Sequence, residues 1–225
     1  MPGVSRRVVS NQTAIHENLE VLVRRHMSHV FQRPFADHSL TAFKAVEATL
    51  AGDTRPLILD SCCGVGDSSR ALASACPDHL VVAVDRSLNR LSKQRDAGTP
   101  DNLIFVRADL MDFYRLAADA GWQPSRHYIL YPNPYPKSAQ VGRRWHGSPV
   151  FPDIVRLGGL LEVRSNWRLY LDECAVALEM FGVEASIEPL LVRQPLTAFE
   201  KKYHQSGQPL WRLQADLTPE TVSGG

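Results

Sequence analysis

Five short apolar runs recur along the middle of the chain, PLILD, HLVVAVD, NLIFVRAD, RHYILYPN and GLLEVRS, and a segment able to turn into a helix follows each. Strands spaced in this way pair in parallel, because parallel neighbours need a crossover of a dozen or more residues, usually a helix. The crossovers are right-handed and stack helices on the sheet. Two further extended runs, SIEPLLVR and LWRLQADL, have no obvious helix between them and are expected to pair antiparallel. The expected fold is α/β: a seven-stranded sheet with five parallel strands and a terminal antiparallel pair. Ahead of it the pattern is helical from about Thr13 to Leu50, with Ile15, Leu19, Leu22 and Val30 near one face and, after Pro34, Leu40, Phe43, Val46 and Leu50 on another. The chain therefore divides into an N-terminal helical extension (1–50), a main domain (51–217) and a flexible tail (218–225). A helix from Trp167 to Phe181 covers the fifth strand.

Composition removes several classes of function. The 225 residues are 44% hydrophobic and 22% charged, ordinary for a globular domain with one core. Apolar runs are far too short to span a membrane, and the polar start MPGVSRRVVSNQ lacks a secretory segment, so the expectation is cytoplasmic. Cys62, Cys63, Cys76 and Cys174 show no CxxC spacing, which indicates neither zinc nor a disulfide framework, and His26 and His29 read as surface residues without further ligands. No metal is expected. A net charge of +1 permits a nucleic-acid partner without demanding one.

LILDSCCGVGDSSRALA runs strand, glycine turn, helix, the context in which Gly64 and Gly66 acquire meaning. A dinucleotide site places a pyrophosphate on the helix N-terminus, but here the third glycine position is Ser69 and Asp67 stands where the helix begins, as a cap that repels phosphate. Carboxylates around a glycine turn suit a cationic nucleoside without phosphate, and S-adenosylmethionine, with its sulfonium and ammonium, is the common one. Asp60 closes the first strand; Asp85 ends the second, 25 residues on, where an acid takes ribose hydroxyls; Asp109 follows the third, placed for an adenine amino group. Each is equally readable as a strand-end or capping aspartate. All three at successive carboxyl ends of parallel strands occupy the place where open α/β sheets bind ligands.

YPNPYPK, Tyr131 to Lys137, sets a proline at every second position, which predicts a short stiff rod that displays side chains. Tyr135 on it can stack a purine, a contact of about 1–3 kcal/mol. Beyond it, RRWHGSPVF is open to two uses: a phosphate clamp by Arg143 and Arg144 beside a stacking Trp145, or a loop anchored by Trp145 on the core.

YPNPYPK after the fourth strand, RSNW after the fifth and TAFEKKYHQSG before the last resemble, in order and position, segments of the bacterial tRNA guanine-N7 methyltransferases, namely FPDPW with a nearby lysine, TDW, and TKFE followed by glycine. The likeness covers roughly Pro56 to Leu217. It implies the Rossmann-like sheet of class I methyltransferases, S-adenosylmethionine as cofactor and tRNA as partner. It also implies cofactor contacts at Asp60, Gly64, Gly66, Asp85, Asp109, Leu110 and Asn133, substrate contacts at Tyr135, Lys137, Asn166, Thr197, Phe199 and Glu200, and catalytic roles for Asn133 and Lys137. The chain departs from the family at Asn133 and Asn166, each an aspartate there, and at Cys62, where many such loops carry glycine. Guanine N7 has a free lone pair and no proton to lose, so alignment matters more than a strong base, and an amide still positions. A carboxylate accepts two hydrogen bonds from the guanine N1–N2 edge, whereas an amide offers one acceptor oxygen. Two further functions remain open: methylation of a free purine or related heterocycle, and a catalytically silent fold that binds RNA or protein.

Overall fold

The computed structural model describes residues 5–93 and 98–218; the greater part of the expected tail, 219–225, lies outside the described residues. Seven strands form one sheet in the order β3-β2-β1-β4-β5-β7-β6: β1 Leu57–Ser61, β2 Leu80–Asp85, β3 Leu103–Arg107, β4 Arg126–Leu130, β5 Leu160–Ser165, β6 Ala185–Pro189 and β7 Trp211–Asp216. β1 pairs in parallel with both β2 and β4, and β7 runs antiparallel to β5 and β6. The expected sheet is therefore observed.

The helices are α1 Leu19–Ser28, α2 Asp37–Leu50, α3 Asp67–Ala75, the one-turn α4 Leu88–Leu91, α5 Leu110–Asp119, α6 Phe151–Arg156, α7 Arg168–Glu179 and α8 Ala198–Gln205. The main core lies between the sheet and α1, α2, α5, α6 and α7. Phe43 of α2, Phe113 of α5 and Trp122 pack edge-to-face or tilted at 5.2 to 5.5 Å, which ties α2 to the layer beside β3. A smaller core lies under α3 on the other face. Beyond it β4, β5, β7 and β6 present polar side chains to an open trough of about 780 Å3 lined by Arg126, Tyr128, Glu162, Arg212 and Gln214. This explains the strand patterns. β2, covered on both faces, is buried throughout, whereas β7 alternates, Leu213 and Ala215 inward and Gln214 outward. Among the described residues no helix is long and apolar enough to cross a membrane.

Four expectations need correction. A helix, α8, separates β6 from β7; only Phe199 and Tyr203 mark its apolar side, so periodicity is faint, and its signal was the Thr197–Glu200 spacing of a capped N-terminus, where Thr197 Oγ1 accepts from the Glu200 amide at 2.9 Å. Residues 5–16 are an irregular strap, so Ile15 precedes α1, and Val30 follows it and is 85% exposed. The N-cap of α3 is Gly66 at φ 80°, with Asp67 in its first turn. The proline segment is kinked, because Tyr131 and Tyr135, each preceding a proline, sit at φ 51° and 45° instead of extended.

Gly158 and Gly159, both at φ 72°, turn the chain into β5. A Cβ at Gly159 would overlap the Pro124 carbonyl, whereas at Gly158 it would meet only the Leu217 carbonyl at 3.7 Å. Gly159→Ala is expected to cost on the order of 3 kcal/mol or more, against about 1 to 2 kcal/mol for Gly158→Ala, whose burden is φ alone. Urea unfolding of both variants checks this; equal losses would contradict the packing described.

Candidate functional site

The strand order reverses between β1 and β4, so the loops leaving these strands part and open a crevice at the carboxyl rim. Asp60, Asp85 and Asp109 stand at or just past the ends of β1, β2 and β3; Asn133 and Lys137 follow β4, and Asn166 follows β5. The expected residues thus meet on one rim.

Asp60 is fully buried. Ser68 and Ser69, in the first turn of α3, donate to its Oδ2 at 2.8 and 2.6 Å, and its Oδ1 has no partner among the described residues. Burial pushes its pKa up to about 6 against the pull of the two hydroxyls, with the Asp85 charge adding to the rise. A buried carboxylate oxygen without a donor favours a positively charged neighbour. Asp85, 2% exposed, accepts from the amides of Gly64 at 3.0 Å and Ser87 at 2.7 Å and from Arg90, whose side chain is half-exposed. Asp109 caps α5 through the Met111 amide at 2.9 Å and pairs with Arg33 at 3.1 Å, so both its oxygens are engaged; Leu110 opens that helix. Gly66 lies against the Phe105 ring, where a Cβ would come to 2.5 Å. Cys62, at φ 62°, occupies a left-handed position that glycine adopts freely, and burial pushes its thiol up to about 12, leaving it inert. The chemistry of these groups, two buried carboxylates beside a glycine turn, fits a cationic donor that carries ribose hydroxyls.

After β4, Asn133 and Lys137 are exposed and Tyr135 is half-buried. Arg144 is wholly buried, so it is no phosphate clamp; its Nε and Nη2 donate to the Tyr135 carbonyl at 3.2 and 3.0 Å and its Nη1 to Glu173. Trp145 packs edge-on against Tyr114 at 5.3 Å, which settles the segment as an anchored loop. Glu173 also accepts from His146 Nε2 and the His16 amide, both at 3.0 Å, and from Gln12. Burial alone would raise this carboxyl; the donors, His146 and Arg144 first, hold it down to about 2.

Past β5, Asn166 Nδ2 donates to Gln208 Oε1 at 2.8 Å, and Gln208 Nε2 donates to the Ser5 carbonyl at 2.9 Å. Glu200 is 1% exposed and bound by Arg164 at 2.9 and 3.2 Å, with Arg164 also held by Glu162. Thr197 is occupied as the α8 cap. Phe199, 56% exposed, stacks on Tyr203 at 6.1 Å, and Tyr203 meets Tyr131 at 5.7 Å. Sequence reasoning missed the strap, Arg33, Arg164, Glu173 and Gln208. Their signals are single polar residues in segments without periodicity, which become legible only when their partners are known.

Residues 54–213 match a family model described as "Putative methyltransferase". A tRNA (guanine-N(7)-)-methyltransferase of Nocardioides sp. (strain ATCC BAA-499 / JS614) is 30% identical over 187 residues, covering 73% of this chain and 70% of that protein. Another, of Lactococcus lactis subsp. cremoris (strain SK11), is 24% identical over 190 residues, covering 79% and 88%. In three dimensions the chain is similar to the 16S rRNA methyltransferase KamB (19% identity, 83% and 96% coverage, TM-score 0.57). It is also similar to a 16S rRNA (adenine(1408)-N(1))-methyltransferase from Catenulisporales acidiphilia solved with its cosubstrate SAM (15% identity, 81% and 94% coverage, TM-score 0.58). At these identities the structural likeness establishes the fold.

Asp60 gives the ligand-free protein a distinctive pH response. Its folded pKa of about 6 exceeds the unfolded 3.8, so between these values the unfolded chain releases a proton that the folded chain keeps, and stability falls as pH rises. The loss is complete above about pH 6 and amounts to roughly 2 to 3 kcal/mol. Urea unfolding at several pH values should show Asp60→Asn losing this slope; parallel curves for both proteins would contradict it.

Proposed function

The chain is a divergent member of the tRNA (guanine-N7)-methyltransferase family and an S-adenosylmethionine-dependent methyltransferase, and from that premise we propose that its acceptor is N7 of a guanine in tRNA. The observation that carries this reading is the meeting, on one sheet rim, of three acidic strand ends with YPNPYPK, RSNW and TAFEKKYHQSG. We place the enzyme in the cytoplasm, needing neither metal nor membrane, with residues 51–217 as the transferase domain and 1–50 as its extension.

When bound, S-adenosylmethionine supplies an electrophilic methyl carbon on a positively charged sulfur. Asp60 and Asp85 would hold the donor by its charge and ribose hydroxyls, with Gly64 leaving the backbone clear for it and Gly66 letting the loop pack on Phe105, and Asp109, Leu110 and Asn133 would bound the base and methyl ends. Guanine N7 already presents a lone pair, which the residues of the acceptor side would point at that methyl carbon. No proton moves at N7, so the protein's task is to align donor and acceptor. Tyr135 and the exposed Phe199 offer stacking surfaces for the base, and Asn166 offers its amide oxygen to the N1–N2 edge. Lys137 donates to an acceptor oxygen of the substrate. Thr197 and Glu200 act through position: the first caps α8 and the second fixes it to Arg164, which keeps Phe199 at the rim.

A net charge of only +1 favours a second reading, in which the acceptor is a free purine or related heterocycle. Incubation with labelled donor and either unmodified tRNA or a purine panel, followed by nucleoside mass spectrometry, separates the two. N7-methylguanosine in tRNA is the expected product. Its formation should weaken steeply with salt, since each phosphate contact releases counterions; methylated free purine alone, or no donor binding in calorimetry, would overturn the proposal. Asp85→Ala is expected to lower donor affinity about 10- to 100-fold through lost charge-assisted hydrogen bonds. Lys137→Ala should retain donor binding and lose about tenfold or more in turnover. Normal donor binding by Asp85→Ala would displace the ribose from where we put it.

A further inference from the structure

One buried guanidinium touches the proline loop, the Asn166–Trp167 turn and the N-terminal strap at once. Arg144 donates twice to the Tyr135 carbonyl, at 3.2 and 3.0 Å, and reaches the Lys137 carbonyl at 3.5 Å. Its guanidinium carbon lies 4.9 Å from the centre of the Trp167 ring, the residue after Asn166. It donates at 3.0 Å to Gln12 of the strap, and its remaining arm is paired with Glu173 on α7. Neither Arg144 nor Glu173 has any exposed side chain.

The loop that Arg144 holds is strained. Tyr135 stands at φ 45° before Pro136, a conformation that steric repulsion disfavours and that persists only where surrounding bonds over-determine it. Those bonds are Arg144 on the Tyr135 and Lys137 carbonyls, Ser10 Oγ on the Pro136 carbonyl at 2.5 Å, and the Ser138 amide on Asn11 Oδ1 at 3.0 Å. Glu173, with four donors around it, prevents the guanidinium from turning. Arginine has the geometry for this: five donors in one rigid plane satisfy two loops at once while the face of the plane lies against an indole. Lysine, a single point of charge, cannot do all three.

We infer that Arg144, oriented by Glu173, is a positioning residue for methyl transfer, which sets the loop bearing Asn133, Tyr135 and Lys137 in register with the Asn166–Trp167 turn. The inference rests on the reading that these two loops hold the acceptor. Arg144 touches neither donor nor acceptor and acts through the loop carbonyls and the Trp167 face. Its loss should therefore appear in turnover and leave the donor site intact.

The test compares wild type with Arg144→Lys and with the paired Arg144→Gln/Glu173→Gln, which removes both charges together so that neither is left buried alone. Folding is read by circular dichroism, donor affinity by calorimetry, and kcat and KM with tRNA and with purines. Loop order is read by hydrogen exchange of the amides between 131 and 138. The expected result is donor affinity within about twofold of wild type and kcat lower by about 10- to 100-fold, as for a misplacement near 1 Å. The loop amides should exchange at least about tenfold faster while those of β1 and β2 do not. Wild-type kcat, or wild-type loop exchange, in a folded variant would overturn the inference. Should wild type methylate neither acceptor, the functional reading fails, and loop exchange still decides the role of Arg144. Should both variants fail to fold, Trp167→Leu, which removes the ring and spares the ion pair, takes their place with the same readouts: faster loop exchange supports the role and unchanged exchange refutes it.

Discussion

The whole site depends on β1 pairing in parallel with neighbours on both sides. Asp60 lies opposite Ala83 in one register and Tyr128 in the other, so its backbone is fixed from two directions. The loops that follow β1 and β4 must then diverge, and the gap between them is where a ligand can enter. A carboxylate at that point is desolvated by the sheet itself. Ser68 and Ser69 satisfy one oxygen and, among the described residues, nothing satisfies the other, an arrangement that raises the pKa and costs stability in the absence of a ligand. A hydrophobic residue there would stabilise the fold and leave no grip on a cation. A cationic ligand, as proposed, would account for the carboxylate, and the strand order accounts for the crevice beside it.

The acceptor side is built on a different principle. Its loops carry no periodic pattern, and the strained conformations at Tyr131 and Tyr135 would relax in an isolated segment. Order is imposed by buried polar groups: Tyr131 donates its amide to the Arg164 carbonyl at 2.9 Å, and Arg144 holds Tyr135 from beneath. A buried ion pair such as Arg144 with Glu173 contributes little net stability compared with well-packed apolar residues, yet removing one partner alone costs about 3–5 kcal/mol. What such a pair provides is direction. Burial near β1 thus tunes charge, and burial beneath the proline loop tunes geometry.

These two principles also divide what the sequence made legible. The strands, the glycine turn and the three aspartates follow local rules of period, turn chemistry and strand ends, and the structure has them where those rules put them. The strap from Ser5 to His16 follows no local rule; its bonds to Ser206, Pro136, Ser138 and Glu173 join residues more than a hundred positions apart. Helix α8 escaped because it is a charged surface helix with two aromatic residues for an apolar face. The proline segment misled in a more instructive way. Local sterics favour an extended chain before each proline, and tertiary hydrogen bonds override that preference at two of the three positions. The arginine pair after it read equally as a phosphate clamp, and only complete burial decides that Arg144 faces inward.

The strap bears directly on the amides that stand where the family has aspartates. A backbone carbonyl can only accept, so the Ser5 carbonyl requires Gln208 to present its NH2, which leaves the Gln208 oxygen turned towards Asn166. Asn166 must then turn its own NH2 to Gln208, which leaves its amide oxygen and one N–H uncommitted among the described residues. The orientation of that side chain is thereby fixed by a main-chain group about 160 residues earlier in the sequence. An asparagine free to flip would offer a guanine edge donors as readily as an acceptor. With one N–H committed to Gln208, it presents an acceptor oxygen and a single remaining donor, against the two acceptors and the charge an aspartate would bring. On the proposed reading of this turn as the N1–N2 contact, the replacement keeps one of two acceptors and no charge, so the stacking surfaces of Tyr135 and Phe199 carry more of the hold on the base.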